Sequence, residues 1–372
     1  MSASETDAVP IASAPSWLAL HLRDGRGRKR DDMKRDKAAK APVIADVAAL
    51  AGVSVPTVSR VLTGAAKVAP DKRERVLAAI AELNYRPSAA ARTLVTRRSR
   101  TIAVVAGNTS QYGYAEAIRG IEEEARAGGW TVTITVIESA DPDDIEKALS
   151  LVLSQSPDGV AVLKFDPPGV AMVAALPPGV PVVALSGVRG RGVSQAVLDE
   201  LHAAQALTEH LLELGHRTVH HVRVPPSRRE DGRTTGWRRA LKAAGVAEAP
   251  TPLEATWEPE SGRALAHRLA EDPEVTAVFC GNDEIAMGVI KGLTEAGLRV
   301  PEDISVVGFD DHPLARMWTP ALTTVRQDFA GLGRRGFGLL LRAMEDGGGS
   351  TYSSERPELI VRESSAPPRA SR

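Results

Sequence analysis

Seven short runs of β-branched and other apolar residues alternate with longer, helix-patterned segments between residues 101 and 309. The runs are TIAVVA (101–106), WTVTITVI (130–137), DGVAVLK (158–164), VPVVAL (180–185), TVHHVRV (218–224), TAVFC (276–280) and ISVVGF (304–309). Segments such as AEAIRGIEEEARAGG and DEIAMGVIKGLTEAG lie between them. This order of strand, helix and strand predicts parallel sheets with helices on both faces. Periodicity leaves open whether there is one large sheet or two smaller ones.

A different pattern, VIADVAALAGVSVPTVSRVLTG, occupies residues 43–64. The apolar residues of IADVAALA recur at helical spacing and would form one face of a short helix. Gly52 supplies the backbone freedom for a sharp turn after it. Ser54 stands at the N-cap position of a second helix, and Pro56 is tolerated in the first turn because its missing N–H would be unpaired there. The pair predicts a helix-turn-helix, whose second helix enters the DNA major groove.

The second helix presents a set of residues outward, while a third apolar stripe closes a small core behind it. The outward residues are Val55, Pro56, Thr57, Ser59 and Arg60, and the core residues of the third stripe are Val76, Leu77, Ile80 and Leu83. Arg60 is the candidate for a bidentate guanine contact, and Val55 and Pro56 can contact thymine methyl groups. Phosphate contacts are expected from Lys67, Lys72, Arg73 and Arg86. The alternative is a generic helical hairpin with a solvated polar face.

Charge is distributed unevenly along the chain. Residues 1–100 contain 19 Lys+Arg and 10 Asp+Glu, so the other 272 residues carry −10 of a total charge of −1. A basic front end on an acidic body indicates a polyanionic partner, although a solvated basic tail would have the same composition. The lone Cys280 cannot form an internal disulfide, and no stretch is apolar enough to predict a transmembrane helix or a secretory signal. We therefore expect a cytoplasmic protein without a membrane partner.

The sequence resembles the LacI/GalR family of transcriptional regulators. The resemblance is carried by DVAALAGVSVPTVSRVL, by NYRPSAAARTL at 84–94, and by FCGNDEIAMGVIKGLTEAGLRVPEDISVVGFDDHPLARMWTPALTTVRQDF at 279–329. It implies an all-α helix-turn-helix headpiece and an α/β core like that of periplasmic binding proteins, with two doubly wound parallel-sheet subdomains around a ligand cleft. It also implies a hinge helix over 88–95, which forms on operator DNA and inserts Leu94 into the minor groove.

This resemblance sets the expected domain organisation. The predicted divisions are a disordered basic extension (1–41), a helix-turn-helix domain (42–87), a hinge helix and linker (88–99), an effector-binding and dimerisation core (100–363) and a disordered tail (364–372). We expect the chain to cross between the two subdomains near residues 195, 325 and 355.

The resemblance also assigns residues to two sites. The predicted DNA contacts are Ser54, Val55, Pro56, Thr57, Ser59, Arg60, Tyr85, Arg86, Ser88, Ala91 and Leu94. The predicted effector contacts are Tyr114, Arg233, Thr235, Trp257, Asn282, Asp283 and Asp310. An aromatic face surrounded by Asp, Asn and Arg suits a sugar, which combines an apolar face with a rim of hydroxyls. Trp257 could instead belong to the core, and Asn282 could instead cap the following helix.

Two segments depart from the family pattern and leave the effector open. They are GNTSQYGY after the first strand and ALSGVRGRG at the end of the strand before residue 190, and they keep a phosphate-containing or purine ligand possible beside a sugar. The predicted function is a sequence-specific regulator, a repressor, that binds a near-palindromic operator as a homodimer under the control of a small, carbohydrate effector. We expect a dimer because RESSAPPRASR contains no apolar heptad repeat. The alternatives are a sugar-binding protein of transport type and a sensor that does not bind DNA.

Enzyme activity has little support in the sequence. GLGRRG (331–336) matches the dinucleotide pattern but does not open the first β-α unit, and no P-loop or G-x-S-x-G motif appears. His216, His220, His221 and His267 do not pair with Cys or acidic residues at metal-binding spacing. We expect no catalytic residue, no metal and no cofactor.

Overall fold

The computed structural model describes residues 42–63, 68–86, 98–190, 192–225, 231–346 and 350–369. The chain divides into two compact units between Pro87 and Ser88. The predictions for the extension, for Lys67 and for the hinge residues Ser88, Ala91 and Leu94 lie outside the described residues. Each unit is described by itself below.

The first unit contains the helices α1 (Ile44–Ala51), α2 (Val55–Thr63) and α3 (Pro70–Glu82). Gly52 ends α1 with a left-handed φ of 63°, and the next N–H, of Val53, donates to the Ala48 carbonyl at 3.0 Å. This αL termination turns the chain sharply between α1 and α2. A shared core holds the helices together, and its buried residues are Val47, Ala48, Ala51, Val58, Val61, Val76, Ala79 and Tyr85.

One residue of the third stripe was wrongly placed in this core. Val76 is fully buried, but Leu77 is 49% exposed. Consecutive residues of a helix point about 100° apart. The core face of α3 runs instead through Val76, Ile80 and Leu83, at i, i+4 and i+7.

The second unit alternates strands and helices, as predicted. Its first part contains β1 (Thr101–Ala106), α4 (Tyr112–Ala127), β2 (Thr131–Val136), α5 (Pro142–Ser154), β3 (Gly159–Leu163), α6 (Pro167–Ala175), β4 (Val182–Ser186) and β5 (Ser194–Leu198). Its second part contains α7 (Glu200–Glu213), β6 (His220–Arg223), α8 (Gly232–Ala243), β7 (Leu253–Glu254), α9 (Pro259–Ala270), β8 (Ala277–Cys280), α10 (Asp283–Glu295) and β9 (Ser305–Val307). The remaining elements are β10 (Thr324–Arg326), α11 (Phe329–Asp346), β11 (Tyr352–Glu355) and β12 (Glu358–Ile360).

These strands form two separate parallel sheets, which resolves the question that periodicity left open. The first has six strands in the order β11-β5-β4-β3-β1-β2, and the second has four in the order β7-β6-β8-β9. Every pairing recorded within each sheet is parallel. The predicted fold class, a helix-turn-helix with a doubly wound α/β core, is confirmed.

The chain passes between the two sheets at three places. It leaves the first sheet after Leu198, returns between Arg326 and Phe329, and leaves again between Glu355 and Glu358. Strands β10 and β12 pair antiparallel. β10 ends just before the second passage, and β12 begins just after the third. Helix α11 packs on the first sheet, where Leu332, Leu339 and Leu340 join its buried core.

The C-terminal segment differs from the predicted disordered tail. Ser364 is fully buried, its hydroxyl donates to the Val306 carbonyl at 2.6 Å, and its backbone N–H donates to the carbonyl of Ala321. The buried His216 ring contacts the Ala366 carbonyl at 3.0 Å. The prediction is therefore corrected for residues 364–369, because hydrogen bonds to the second sheet hold a segment whose composition alone indicates a tail.

Within the described residues, no single helix is both long and apolar enough to cross a membrane; α1 and the following helix together, bent by 104°, pass the same length and composition test.

Candidate functional site

Helix α2 presents most of the predicted DNA-reading residues to solvent. Val55 is 40% exposed, and Pro56 and Arg60 are exposed as well. Thr57 and Ser59 are half-buried at the edge of this face. The face therefore offers one guanidinium, two hydroxyls and an apolar N-terminal end, the functional groups with which a recognition helix contacts base edges.

Ser54 directly precedes α2, at the position that the sequence predicts for the N-cap. Its carbonyl accepts the N–H groups of Thr57 at 2.9 Å and Val58 at 3.2 Å. Its hydroxyl lies 2.9 Å from the Thr57 hydroxyl. Because the two hydroxyls pair with each other, they form one polar group at the helix N-terminus.

Tyr85 is mostly buried. It is 8% exposed and belongs to the core of the three helices, and its N–H donates to the Ile80 carbonyl at 3.0 Å. Tyr85 therefore packs in this core, and its contact with DNA stays a prediction. Arg86, Lys72 and Arg73 are exposed, as phosphate contacts require.

The second candidate site is a cleft at the carboxyl ends of strands from both sheets, the usual ligand position in doubly wound folds. Its lining includes Gln111, Tyr112, Tyr114, Lys164, Phe165, Ser186, Gly187, Glu200, Asp231, Arg233, Trp257, Asn282, Glu284, Asp310 and Phe329. The space enclosed is about 60 Å³. Ligand pockets commonly measure about 300–1,000 Å³, so this cleft is nearly closed.

Arg233 is at the centre of the cleft. Its Nη2 donates to Glu200 Oε1 at 2.9 Å and lies 3.2 Å from Asp310 Oδ1, while Nη1 donates to the Gly281 carbonyl. Its guanidinium also lies over the Phe309 ring, 4.4 Å from the centroid. Burial lowers the pKa of this group, but the carboxylates of Asp310 and Glu200 more than compensate and raise it above its usual value.

Asp310 reaches Arg233 from an unusual backbone conformation. Its φ is 110°, which side-chain-bearing residues rarely adopt, and such strain is typical of functional positions. Its Oδ1 accepts the Gln327 side-chain N–H at 2.7 Å. Burial raises the pKa of this carboxyl to about 7, although Arg233 lowers it.

Tyr114 forms a second buried polar contact on the first-sheet side of the cleft. Its hydroxyl donates to Asp166 Oδ2 at 2.5 Å, and Asp166 Oδ1 accepts the Gly169 N–H at the start of α6. Burial, followed by the Asp166 charge, raises the pKa of the Tyr114 hydroxyl. Gly107 is required here because a Cβ at that position would lie 1.7 Å from Asp166 Oδ2.

Asn282 and Trp257 both line the cleft, as predicted. Asn282 also caps α10, since its Oδ1 accepts the Ile285 N–H at 2.8 Å. The alternative interpretation of Asn282, that it caps the following helix, is thus correct, and its effector contact stays a prediction. Trp257 is half-buried and packs against the core of the second sheet, so it serves both as core and as cleft wall.

Two predicted effector contacts do not line the cleft. Asp283 is fully buried, and its two oxygens accept the Thr324 hydroxyl and the His312 N–H, both at 2.6 Å. Burial and the nearby Asp310 raise its pKa well above the usual value. The Thr235 hydroxyl donates to the Asp231 carbonyl at 2.7 Å, one turn back in α8. Both side chains bond to neighbouring segments, and the lining of the cleft does not support their predicted effector contacts.

Sequence reasoning missed several cleft residues, namely Tyr112, Lys164, Phe165, Glu200, Asp231 and Phe329. Phe165 and Asp231 follow predicted strands, so their position at the carboxyl edge of a sheet was an available signal. Glu200 gave no such signal, because β5 lacks a β-branched run and was not predicted.

Comparison with known proteins identifies the protein family to which this chain, with its exposed helix and its cleft, belongs. The model of the lacI family of bacterial regulatory proteins matches residues 43–88, and that of the periplasmic binding protein-like domain matches residues 208–365. The HTH-type transcriptional repressor PurR of Haemophilus influenzae is 34% identical over 331 residues, which cover 86% of this chain and 98% of that protein. The chain belongs to the LacI family of DNA-binding transcriptional repressors.

Solved structures of the LacI family agree with this assignment. The lac repressor dimer bound to operator and an anti-inducer is 29% identical, with a TM-score of 0.80 over 88% of this chain and 100% of that one. The complex of the regulator CelR with cellobiose is 30% identical, with a TM-score of 0.64 over 87% of this chain and 99% of that one. The similarity therefore extends over both the DNA-reading unit and the core.

Proposed function

We propose that this LacI-family protein represses transcription as a homodimer on a near-palindromic operator, and that a small sugar bound in the cleft controls its affinity for DNA. The observation that carries the proposal is one chain that combines an exposed recognition helix with a cleft built around the buried cluster of Arg233, Glu200 and Asp310. The site of action would be the cytoplasm, where the operator lies.

For the DNA contacts, we assign base reading to the outward face of α2. Arg60 would bind guanine, and Val55 and Pro56 would contact thymine methyl groups. The paired hydroxyls of Ser54 and Thr57 would lie near the DNA backbone. Arg86, Lys72 and Arg73 would contact phosphates. In a symmetric dimer each half-site receives one such helix, which makes the operator near-palindromic.

For the effector, a sugar fits the chemistry of the cleft better than a flat apolar ligand. Arg233 contacts one oxygen each of Glu200 and Asp310, so each carboxylate keeps a second oxygen able to accept a hydroxyl. Trp257 and Phe165 supply aromatic surface for the apolar face of a pyranose ring. The CelR complex, in which a related core binds cellobiose, also supports a sugar.

The narrow cleft suggests how binding would be transmitted. A space of about 60 Å³ is small for a sugar ring, so we expect the two sides to separate when one binds. That separation would bend the three passages between the sheets and move the segment that leads to the DNA-reading unit. Operator affinity would then change through the free energy that couples the two sites.

A mobility-shift assay with the purified protein and its own promoter region tests the proposal. We expect a specific shift that weakens steeply with salt, because phosphate contacts release counterions. Adding D-glucose, D-galactose, D-ribose, cellobiose or hypoxanthine one at a time then tests the effector, and we expect a sugar to change the shift. The absence of a specific, salt-sensitive shift with folded protein would contradict the proposal, and a response to hypoxanthine alone would replace the sugar by a purine.

A further inference from the structure

Glu200 places a carboxylate in the cleft that the sequence analysis did not foresee. It is the first residue of α7, directly after the chain leaves the first sheet. Its side chain is 10% exposed and bonded to Arg233. A carboxylate in the first turn of a helix is favoured by the helix dipole, which helps this charge to remain buried.

Gly187, which follows the neighbouring strand β4, makes room for this carboxylate. A Cβ at position 187 would lie 2.1 Å from Glu200 Cδ and within 2.4 Å of both of its oxygens. Any other residue at position 187 would displace the Glu200 side chain. Glycine at 187 and glutamate at 200 therefore act as one structural pair.

The pair removes the positive charge that Arg233 would otherwise offer to a ligand. Glu200 and Asp310 both contact Nη2 of Arg233, and the Gly281 carbonyl takes Nη1. Among the described residues that line the cleft, Glu200, Asp231, Glu284 and Asp310 are acidic, whereas Lys164 and Arg233 are basic. Even with Asp310 protonated, three carboxylates outnumber the two cations, so the lining carries a net negative charge.

Asp231 independently indicates which functional groups the ligand must have. It is 8% exposed and lines the cleft, and its Oδ1 accepts the Thr234 N–H at 2.6 Å. Among the described residues, its buried Oδ2 has no hydrogen-bond partner. A buried carboxylate oxygen without a donor is costly, so this atom favours a ligand that supplies an O–H or N–H group.

We propose that Glu200, with the space left by Gly187, determines the charge class of the effector: the cleft selects a neutral or cationic ligand rich in hydroxyl or amine donors and rejects anions such as uronates and phosphates. The inference deepens the proposed function and depends on the cleft being the effector site. Anions are rejected because a negative group in this buried site would meet Glu200 and Asp310 beside an arginine that they already neutralise.

Isothermal titration calorimetry of the full-length protein with matched ligands tests the charge class. The probes are D-glucose, D-glucosamine and D-glucuronate; D-galactose, D-galactosamine and D-galacturonate; D-ribose and D-ribose 5-phosphate; cellobiose; hypoxanthine; and inosine and inosine 5′-monophosphate. We expect each anion to bind the wild type at least about tenfold more weakly than its neutral parent. Glu200→Gln, which keeps the shape and removes the charge, should reduce that ratio by about tenfold. Glu213→Gln, in the same helix but outside the cleft lining, should leave it unchanged.

Gly187→Ala provides a second variant that does not remove a charge. Its methyl group should displace the Glu200 carboxylate and weaken binding of the preferred neutral probe. In a Glu200→Ala background the same substitution should have no such effect, because the clash has gone. This double-mutant cycle measures the coupling of the two positions directly. Circular dichroism and operator binding verify that each variant is folded.

The outcomes separate this inference from the proposed function. Binding of an anion by the wild type as tight as that of its neutral parent would overturn the charge selection but leave an effector site in place. Unchanged discrimination in Glu200→Gln, or additive effects in the Gly187 cycle, would overturn the role of Glu200. If no probe bound any variant, the sugar effector and this inference would both be rejected.

Discussion

The recognition helix and the cleft use arginine in opposite ways. Arg60 is exposed on α2, where it can meet a phosphate or a base edge. Arg233 is 7% exposed and already contacts two carboxylates and a carbonyl. An exposed charge contributes little to the stability of its own unit and remains available to a partner. A buried, paired charge orients its neighbours, and its removal leaves them without compensation.

The largest expected effect is the loss of Arg233, which tests the buried side of this comparison. Arg233→Ala leaves Glu200 and Asp310 buried without their shared cation, and breaking such a cluster costs about 3–5 kcal/mol. We expect urea unfolding of the core to show this loss and the operator shift to become insensitive to effector. Operator binding itself should persist at low temperature.

Arg239→Ala, an exposed substitution in the same helix α8, is the matched control and should change stability by less than about 0.5 kcal/mol. If Arg233→Ala removed operator binding while the core remained folded, the assignment of Arg233 to the effector site would be wrong.

The pH dependence of Asp310 probes the same cluster with a smaller expected effect. Burial raises its pKa in the folded core to about 7, from a usual value of 3.8. Between these values the folded state binds more protons than the unfolded state, so this group makes the core less stable as pH rises. Relative to Asp310→Asn, the wild type should lose on the order of 2–4 kcal/mol between pH 4 and pH 8.

Comparing the two proteins at each pH is necessary because the buried His221 acts in the opposite direction. Burial lowers its pKa to about 4, so its contribution to the free energy of unfolding grows as pH rises. Glu248→Gln, at an exposed position, should run parallel to the wild type. A stability difference between the wild type and Asp310→Asn that did not vary with pH would contradict the assignment of a buried, titrating carboxyl.

The DNA-reading unit and the cleft also differ in how well the sequence predicts them. The helix-turn-helix depends on local patterns, namely the apolar spacing of α1, Gly52 and Pro56, and all three appear in the structure as expected. The parallel strands that are rich in β-branched residues were predicted equally well from the sequence. The short strands β5, β7, β10, β11 and β12 were missed because they lack such runs and are held by their neighbours in the sheets.

The cleft was less predictable because its groups come from distant parts of the chain. Arg233 and Asp310 were predicted individually, but Glu200 enters only because β5 ends beside Gly187. Asp283 follows directly after Asn282 and was predicted with it, yet its side chain bonds to Thr324 and the His312 backbone instead. Which of two adjacent polar residues faces a ligand depends on tertiary contacts that spacing does not encode.

On the exposed side of the comparison, Arg60→Ala should weaken binding to the operator without affecting the core. Loss of a bidentate guanine contact costs about 1–3 kcal/mol and relaxes the preference at that base pair. Lys72→Ala should instead weaken binding to all duplexes alike and reduce the dependence on salt. Fluorescence anisotropy with operator variants distinguishes the two. Equal losses on every sequence for both variants would show that Arg60 contacts only phosphate.

The smallest expected effect concerns two adjacent residues of α3, and it tests whether the DNA-reading unit depends on its core as the structure describes. Val76 is fully buried and Leu77 is 49% exposed, so Val76→Ala removes packed methyl groups whereas Leu77→Ala trims a solvated side chain. We expect Val76→Ala to cost about 1–2 kcal/mol and Leu77→Ala less than about 0.5 kcal/mol. Thermal unfolding of the full-length variants measures both. A larger loss for Leu77→Ala would mean that this leucine is covered in the assembled protein, and the outward face of the unit would then extend beyond α2.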